Sequence, residues 1–269
     1  MAEPTLNIDA LCVRYGARVV LENLSLAPVR PGMMIGLLGP NGVGKSTMLR
    51  ALARLASSTG RATFGGFDLL CGSRHEHMRR VGYLPQTLPQ PSSLLVYEAV
   101  RSALRATCGG LSDATRDQRL QQVFTRLRLH PLAMSPLDRL SGGQRQMVGL
   151  AQVLVRDTPL LLLDEPTSAL DLRWQLLALE AVGDAARRRG AIVLVAMHDL
   201  NLASRFCDRL VLLGADGLVA DGAPADVLTP PNLRRAYRVD ARVERTASGD
   251  YVALAERAIP DEMVLAGGG

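Results

Sequence analysis

Residues 39–47 read GPNGVGKST, and this segment constrains the fold of the 269-residue chain more than any other. It matches the pattern G-x-x-x-x-G-K-[ST], whose glycines let backbone N–H groups surround an anionic phosphate. A short apolar run at residues 33–38 precedes the segment, and residues 47–55 have the spacing of an amphipathic helix. A buried strand, a glycine loop and a positive helix N-terminus in this order predict a phosphate-binding site in an α/β fold.

A single lysine, Lys45, lies within this segment. Lysine and arginine together number 31, and a count along the chain finds 30 arginines. A phosphate cradle needs a compact ammonium that acts as a point charge between two phosphates, and the planar guanidinium fork has the wrong shape for it. We therefore predict that Lys45 holds the β- and γ-phosphates of a nucleotide and that the hydroxyl of Ser46 ligates Mg²⁺. The pattern alone does not separate ATPases, GTPases and kinases.

A second candidate segment, residues 160–166 (LLLLDEP), lies more than a hundred residues later. Four consecutive leucines are typical of a strand buried on both faces of a parallel sheet. Open α/β sheets bind ligands at the carboxyl ends of such strands. We predict that Asp164 holds Mg²⁺ through water and that Glu165 is the general base that polarises the attacking water.

Residues 140–144 (LSGGQ) resemble the signature of ATP-binding-cassette (ABC) ATPases, and further motifs follow in the order of that family. Tyr15 matches the aromatic residue that stacks on adenine, and Gln86 matches the glutamine that senses Mg²⁺ and the γ-phosphate. The segment that ends at Asp171 resembles the loop that crosses between paired subunits. His198 matches the histidine that contacts the γ-phosphate. The sequence has no second lysine and therefore no Asn-Lys-x-Asp motif, which excludes the usual GTPase.

The resemblance implies ATP and Mg²⁺ as the bound groups and assigns roles to particular residues. It places the following residues around the nucleotide: Tyr15, Gly39, Asn41, Gly42, Gly44, Lys45, Ser46, Thr47, Ser141, Gly142, Gly143, Gln144 and Asp171. The residues that it assigns to the metal are Ser46, Gln86 and Asp164. The residues that it assigns to catalysis are Glu165, His198, Gln86 and Lys45.

The resemblance also implies that one chain supplies half of each active site. Two copies pair head to tail, so that Ser141 and Gly143 of one copy close on the γ-phosphate held by Lys45 of the other. The helix after the signature adds its N-terminal dipole. ATP then joins the two subunits, and hydrolysis by Glu165 lets them separate.

The fold that the resemblance implies is an α/β P-loop NTPase of the ABC cassette type. It combines a RecA-like parallel-sheet core, a small antiparallel β subdomain and an inserted helical subdomain. We predict a cassette at residues 1–228, with the helical subdomain at about 87–156, and a short C-terminal helix and hairpin at 229–269. The final glycines, residues 267–269, should be loose.

Hydrophobic patterning predicts the individual elements. The antiparallel strands are expected at residues 6–12, 19–26 and 61–64, with the first two joined near 15–18. Helices are expected at residues 97–107, 113–129 and 142–155. The parallel core is expected to resume at residues 160, 192 and 210–213. The C-terminal part should form a helix near 232–237 and a hairpin of residues 242–246 and 251–254. His75-Glu76-His77 is interpreted as a solvated loop in preference to a metal site.

We expect a protein that stays in the cytoplasm and that, as the resemblance implies, binds peripherally at the cytoplasmic face of the inner (plasma) membrane. Hydrophobic residues make up 48% and charged residues 21% of the chain, as in ordinary globular proteins. No apolar run approaches the roughly 18 residues that a membrane span needs. The first residues lack the pattern of a secretory signal. The net charge of +5 comes from dispersed arginines and is interpreted as a solvated surface, which does not decide between partners. No nucleic acid is expected as a partner.

The role that the resemblance favours is uptake through separate integral membrane permease subunits, together with a substrate-binding protein. Residues 140–171 and 198–209 are similar to ATPases that drive import of iron–siderophore, haem or cobalamin chelates. In this family a permease helix docks beside the glutamine loop, and we predict Leu88, Leu94 and Tyr97 as its contacts. Packing within the helical subdomain is the alternative for these three residues.

Two alternative roles stay open. One is a cassette for amino acids, metal ions or export. The other is a soluble ABC ATPase that acts on nucleic acid or ribosomes without transport. Proteins of the second kind usually fuse two cassettes or insert a long coiled coil, and the sequence shows neither feature.

Overall fold

A six-stranded sheet forms the centre of the computed structural model, which describes residues 4–88, 90, 92–107 and 111–260. Its strands are β3 (Met34–Leu38), β6 (Val81–Leu84), β7 (Leu160–Asp164), β8 (Ile192–Ala196), β9 (Arg209–Gly214) and β10 (Gly217–Gly222). Their order in the sheet is β10-β9-β3-β8-β7-β6. Neighbouring strands from β9 to β6 are parallel, and β10 pairs antiparallel with β9.

The central sheet is buried on both faces because its inner strands are almost wholly apolar. Every residue of β3, β7 and β8 is buried. Successive side chains of a strand point to opposite faces, so Leu160 and Leu162 join one hydrophobic core and Leu161 and Leu163 join another. The run of four leucines thus supplies both cores, and the prediction of a strand buried on both faces is confirmed.

A four-stranded antiparallel sheet packs over one face of the central sheet. Its strands are β1 (Leu6–Tyr15), β2 (Arg18–Val29), β4 (Ser58–Phe64) and β5 (Phe67–Asp68). Their order is β2-β1-β4-β5, and the hairpin of β1 and β2 closes between Tyr15 and Arg18, as predicted. The core on this side includes Met48 and Leu49 together with residues of both sheets.

Most of the helices cover the other face of the central sheet or flank its ends. The helices are α1 (Lys45–Leu52), α2 (Arg74–Arg80), α3 (Val96–Thr107), α4 (Asp113–Arg126), α5 (Gly142–Leu154), α6 (Leu172–Arg189), α7 (Leu200–Phe206), α8 (Pro224–Val227) and α9 (Pro230–Tyr237). Residues of α3, α4, α5 and α6 share one core. The three helices predicted between residues 97 and 155 are confirmed, although α4 ends earlier than expected. It stops at Arg126 because Arg128 adopts a left-handed backbone with φ of +51°.

The interpretation of His75-Glu76-His77 as a solvated loop is wrong. These residues belong to α2, and His77 is buried with its Nε2 atom 2.8 Å from the carbonyl oxygen of Leu52. Burial lowers the pKa of His77. The imidazole is therefore a packed polar group. Among the described residues, no three His, Cys, Asp or Glu side chains are grouped as a metal site.

The C-terminal part forms α9 and a two-stranded antiparallel sheet of β11 (Val239–Arg245) and β12 (Tyr251–Ala258). The predicted helix and hairpin are therefore present, with longer strands than expected. The division of the chain near residue 228 stays a prediction, and the tail at 267–269 lies outside the described residues. Within the described ranges, no helix has both the length and the apolar character needed to cross a bilayer.

A nearly buried ion pair ties the two sheets together. Arg209, the first residue of β9, donates from Nε and Nη2 to the carboxylate oxygens of Asp221 in β10, each at 2.5 Å. Its Nη1 donates to the carbonyl oxygen of Ala27 in β2 at 3.0 Å. The two charged side chains are only 12% and 13% exposed, so removal of one leaves the other without a partner away from water.

We expect Arg209→Ala to lower the free energy of unfolding by about 3 kcal/mol, because it leaves a buried carboxylate unpaired. The measurement is urea denaturation followed by circular dichroism. Arg257→Ala is the control, since Arg257 pairs with Asp240 at 2.7 Å but is 71% exposed. Solvent screens such a pair, so this variant should unfold at nearly the wild-type midpoint. Equal midpoints for the two variants would contradict the prediction.

Candidate active site at the glycine-rich loop

The loop between β3 and α1 depends on glycines with left-handed backbones. Gly39 has φ of +139°, and a Cβ atom there would lie 2.4 Å from the carbonyl oxygen of Leu213 at the end of β9. Gly44 has φ of +112°, and its Cβ would lie 2.5 Å from a methyl carbon of Leu21 in β2. Residues of both sheets therefore lie in close contact with the loop, and no side chain fits at either position.

The ammonium of Lys45 lies against the carbonyls of its own loop. Its Nζ donates to the carbonyl oxygens of Gly39 at 2.5 Å and Pro40 at 3.0 Å, and the residue is only 4% exposed. Burial lowers the pKa of Lys45, while the charges of Glu165 and Asp164 oppose this shift. The loop thus holds a cation at the point where β3 ends.

Asp164 ends β7 next to the start of α1. The hydroxyl of Ser46 donates to its Oδ1 at 2.8 Å. Burial raises the pKa of Asp164, and the charge of Glu165 adds to this, whereas the Ser46 hydrogen bond and Lys45 oppose it. A carboxylate beside a hydroxyl fits Mg²⁺, which binds oxygen ligands and usually keeps water and substrate phosphates in its shell.

The carboxylate of Glu165 is held between two side chains. The Nε2 of Gln86 donates to its Oε2 at 2.9 Å, and the Nε2 of His198 lies 2.5 Å from its Oε1. The Glu165 side chain is 9% exposed and that of His198 is 43% exposed. Glu165 also has a left-handed backbone, with φ of +50°, which is strained for a residue with a side chain.

A cavity of about 360 Å³ joins these groups. The residues that line it are Asn41, Gly42, Gly44, Lys45, Ser46, Thr47, Gln86, Glu165 and His198. Each of them was predicted from the sequence as a site residue. The structure therefore gathers the phosphate loop, the glutamine and the histidine around the Glu165 carboxylate.

The signature residues line a different cavity, of about 420 Å³. Ser141, Gly143, Gln144 and Asp171 contribute to it, whereas Gly142 is not among its lining residues. Ser141 caps α5: its hydroxyl accepts from the N–H of Gln144 at 3.2 Å, and its own N–H donates to the Gln144 side chain at 2.9 Å. Within one chain, the structure does not bring these residues to the phosphate loop.

Two of the predicted site residues, Tyr15 and Asp171, have surroundings that differ from those of the others. Tyr15 is 43% exposed at the end of β1 and lines neither cavity. Asp171 caps α6, where its side chain accepts from the N–H of Trp174 at 3.1 Å. The assignment of Tyr15 to the adenine stays a prediction. Asp171 has a structural role in addition to its predicted one.

Two residues close to the site were missed. The buried Gln146 in α5 donates from Nε2 to the carbonyl oxygen of Glu165 at 3.3 Å. The hydroxyl of Tyr237 in α9 accepts from the N–H of Gly39 at 2.8 Å. Neither contact has a local sequence signal, because the pairs are 19 and 198 residues apart.

Comparison with known proteins identifies the family. The sequence profile described as ABC transporter matches residues 21–168, more than half of the chain. The chain belongs to the ABC transporter family. Within it, this chain is an ATP-hydrolysing subunit, as its resemblance to ABC ATPases implied.

Several relatives of this ABC ATPase have curated names. The hemin import ATP-binding protein HmuV of Bordetella avium is 40% identical over 252 residues, which cover 89% of this chain and 94% of the relative. The cobalamin import ATP-binding protein BtuD of Halobacterium salinarum is 38% identical over 241 residues, which cover 89% of this chain and 60% of the relative. The iron(3+)-hydroxamate import ATP-binding protein FhuC of Bacillus subtilis is 34% identical, with coverages of 89% and 90%.

A solved structure supports the predicted fold. An ATP-binding subunit of an ABC transporter superposes with a TM-score of 0.73 at 30% sequence identity. The match covers 86% of this chain and 92% of that structure. The predicted ABC cassette, with a parallel-sheet core and an antiparallel β subdomain, is confirmed.

We expect Asp164→Asn to stabilise the nucleotide-free ABC ATPase at neutral and higher pH. The folded-state pKa of Asp164 lies above the ordinary 3.8, so the ionised carboxylate costs stability once the pH rises through the folded pKa. Asparagine removes the charge and keeps an oxygen that can accept from Ser46. The thermal midpoint in EDTA should therefore exceed that of the wild type at pH 8, and the gap should shrink as the pH falls.

Asp216→Asn is the matched control, because Asp216 is exposed in the turn between β9 and β10. Its thermal midpoint should follow that of the wild type at each pH. A gap for Asp164→Asn that stays constant between pH 8 and pH 4 would contradict the assignment of the effect to the buried charge.

Proposed function

We propose that two copies of this chain power an importer of an iron chelate (siderophore or haem) or cobalamin through a separate membrane permease. The observation that carries the ATPase chemistry is the Glu165 carboxylate, which lies between Gln86 and His198 beside the phosphate loop. The printed names of relatives that span 89% of the chain support the class of cargo. A substrate-binding protein would deliver that cargo, and the ATPase would lie at the cytoplasmic face of the inner membrane.

Lys45 and Ser46 would hold the triphosphate and its metal. Lys45 would exchange the carbonyls of Gly39 and Pro40 for oxygens of the β- and γ-phosphates. Ser46, Asp164 and Gln86 would hold Mg²⁺, which neutralises phosphate charge when bound. The loop N–H groups and the N-terminus of α1 add positive potential without a reorganisation cost.

Glu165 would act as the general base for the attacking water. Both of its carboxylate oxygens are occupied in this structure, one by Gln86 and one by His198. These two contacts and the 9% exposure of the side chain restrict the approach of water, although each carboxylate oxygen can accept a second hydrogen bond. We therefore propose that His198, whose side chain is 43% exposed, turns from Glu165 to the γ-phosphate when ATP binds, and so frees the base.

A second copy of the chain would complete each site. Ser141 and Gly143 line a cavity separate from the one that holds Lys45. Head-to-tail pairing would bring the capped N-terminus of α5 from one copy to the γ-phosphate bound by the other. Gln146 in the same helix would link the signature to Glu165 within its own chain, through the Glu165 carbonyl.

A groove of about 400 Å³ beside α3 and α5 is the candidate docking site for the permease. Leu88 and Leu94 line it, and both stay predicted permease contacts. Tyr97 is not among its lining residues, and its ring packs against Phe124 with centroids 6.0 Å apart. For Tyr97, this contact favours the alternative of packing within the helical subdomain.

We expect Glu165→Gln to bind ATP, to lose at least about a hundredfold in turnover and to accumulate as an ATP-bound dimer, because the amide cannot take a proton from water. ATPase assays and light scattering after size exclusion with MgATP measure these outcomes. Glu180→Gln is the control, since Glu180 is exposed on α6. A variant that stays monomeric with MgATP would overturn the proposed pairing.

Transport is tested by purifying the tagged chain from gently solubilised source membranes and identifying its companions by mass spectrometry. We expect a polytopic permease, whose own family narrows the cargo. Leu94→Arg in the groove should reduce the recovery of the permease. Leu172→Arg is the control, since Leu172 is also an exposed leucine but lies outside this groove, and it should leave the permease contact intact. Recovery of soluble or nucleic-acid-bound companions alone would overturn the importer role and leave the ATPase chemistry standing.

A further inference from the structure

A hydrogen bond connects the phosphate loop to the C-terminal part of the chain. The N–H of Gly39 donates to the hydroxyl of Tyr237 at 2.8 Å, between residues 198 positions apart. Gly39 is the first residue after β3, and its carbonyl oxygen accepts from Lys45 at 2.5 Å. The carbonyl oxygen of Leu213 also lies next to Gly39, on the side where a Cβ atom would be. The position of this residue is therefore determined by β9, by α9 and by the lysine together.

Tyr237 is the last residue of α9, a helix that is packed against the core and capped at its N-terminus. Leu233 and Ala236 of α9 are buried, and Thr229 caps the helix by accepting from the N–H of Asn232. The helix lies so close to β9 that a Cβ atom at Gly214 would be 3.5 Å from the Cα of Ala236. Burial raises the pKa of Tyr237 to about 12, so the hydroxyl is neutral at any assay pH near 7.

The hairpin after α9 reaches a second element of the site. The N–H of Tyr251 in β12 donates to the hydroxyl of Ser204 at 3.0 Å, and that of Ala253 donates to the side chain of Asn201 at 2.9 Å. Both acceptors lie on α7, whose capping residue Asp199 directly follows His198. The C-terminal helix and hairpin thus contact both the start of the phosphate loop and the helix behind His198.

We propose that Tyr237 is a positioning residue for ATP hydrolysis: its hydroxyl fixes Gly39 and thereby holds the phosphate loop and Lys45 ready for the nucleotide. This inference rests on the proposed role of the loop and of Lys45. Without the hydroxyl, the Gly39 N–H loses its partner and the loop samples other conformations. Apparent affinity for ATP falls in proportion to the fraction of molecules that hold the binding-competent loop.

The test is Tyr237→Phe in the full-length protein, which removes one oxygen atom and keeps the ring packed. We expect KM for ATP, and the dissociation constant for a fluorescent ATP analogue, to rise roughly three- to tenfold, as loss of one hydrogen bond predicts. The kcat at saturating ATP should change less than about twofold, because Tyr237 does not touch the reacting atoms.

Tyr251→Phe is the matched control, since it alters a tyrosine of the same C-terminal part whose ring packs with Arg245 in the hairpin. Its KM should equal that of the wild type. A lower thermal midpoint for Tyr237→Phe with an unchanged KM would show a merely structural role and overturn the inference.

Lys45→Ala separates this inference from the proposed site. Loss of ATP binding by Lys45→Ala, together with an unchanged affinity of Tyr237→Phe, overturns only the role of Tyr237. Retained ATP binding by Lys45→Ala overturns the phosphate-loop assignment and the inference with it. Loss of binding by Lys45→Ala and the expected rise in KM for Tyr237→Phe support both.

Discussion

Parallel pairing of three buried strands determines where the reactive side chains lie. Ala196 of β8 pairs with Leu37 of β3 on one side and with Asp164 of β7 on the other. The three strands therefore end in one row, and the residues that follow them emerge at the same edge of the sheet. The phosphate loop, Glu165 and His198 become neighbours through this register, although long stretches of sequence separate them.

The apolar strands and the glycine loop were predictable from local sequence because their causes are local. Consecutive leucines at residues 160–163 can only be buried on both faces, and the glycines supply backbone angles that other residues rarely adopt. The gathering of Gln86 and His198 around Glu165 was anticipated through family resemblance alone. Hydrophobic periodicity contains no information about which strand ends meet.

The remaining features could not be predicted because they depend on tertiary contacts. Helix α2 contains few apolar residues, and its His77 is buried with the carbonyl oxygen of Leu52 accepting a hydrogen bond from its Nε2. Gln146 and Tyr237 reach the site through single side-chain atoms from distant helices. A polar residue inside an amphipathic helix gives no sign of its partner before the fold is known.

The buried lysine also allows the opening of the phosphate loop to be measured without any label. A lysine-specific protease can cut this chain at one peptide bond only, between Lys45 and Ser46, because the sequence contains no other lysine. That bond lies in the first turn of α1, and Lys45 is 4% exposed. Cleavage therefore requires local unfolding of the loop. The rate of this single cut reports how often the phosphate loop opens, and its dependence on nucleotide reports how firmly ATP closes it.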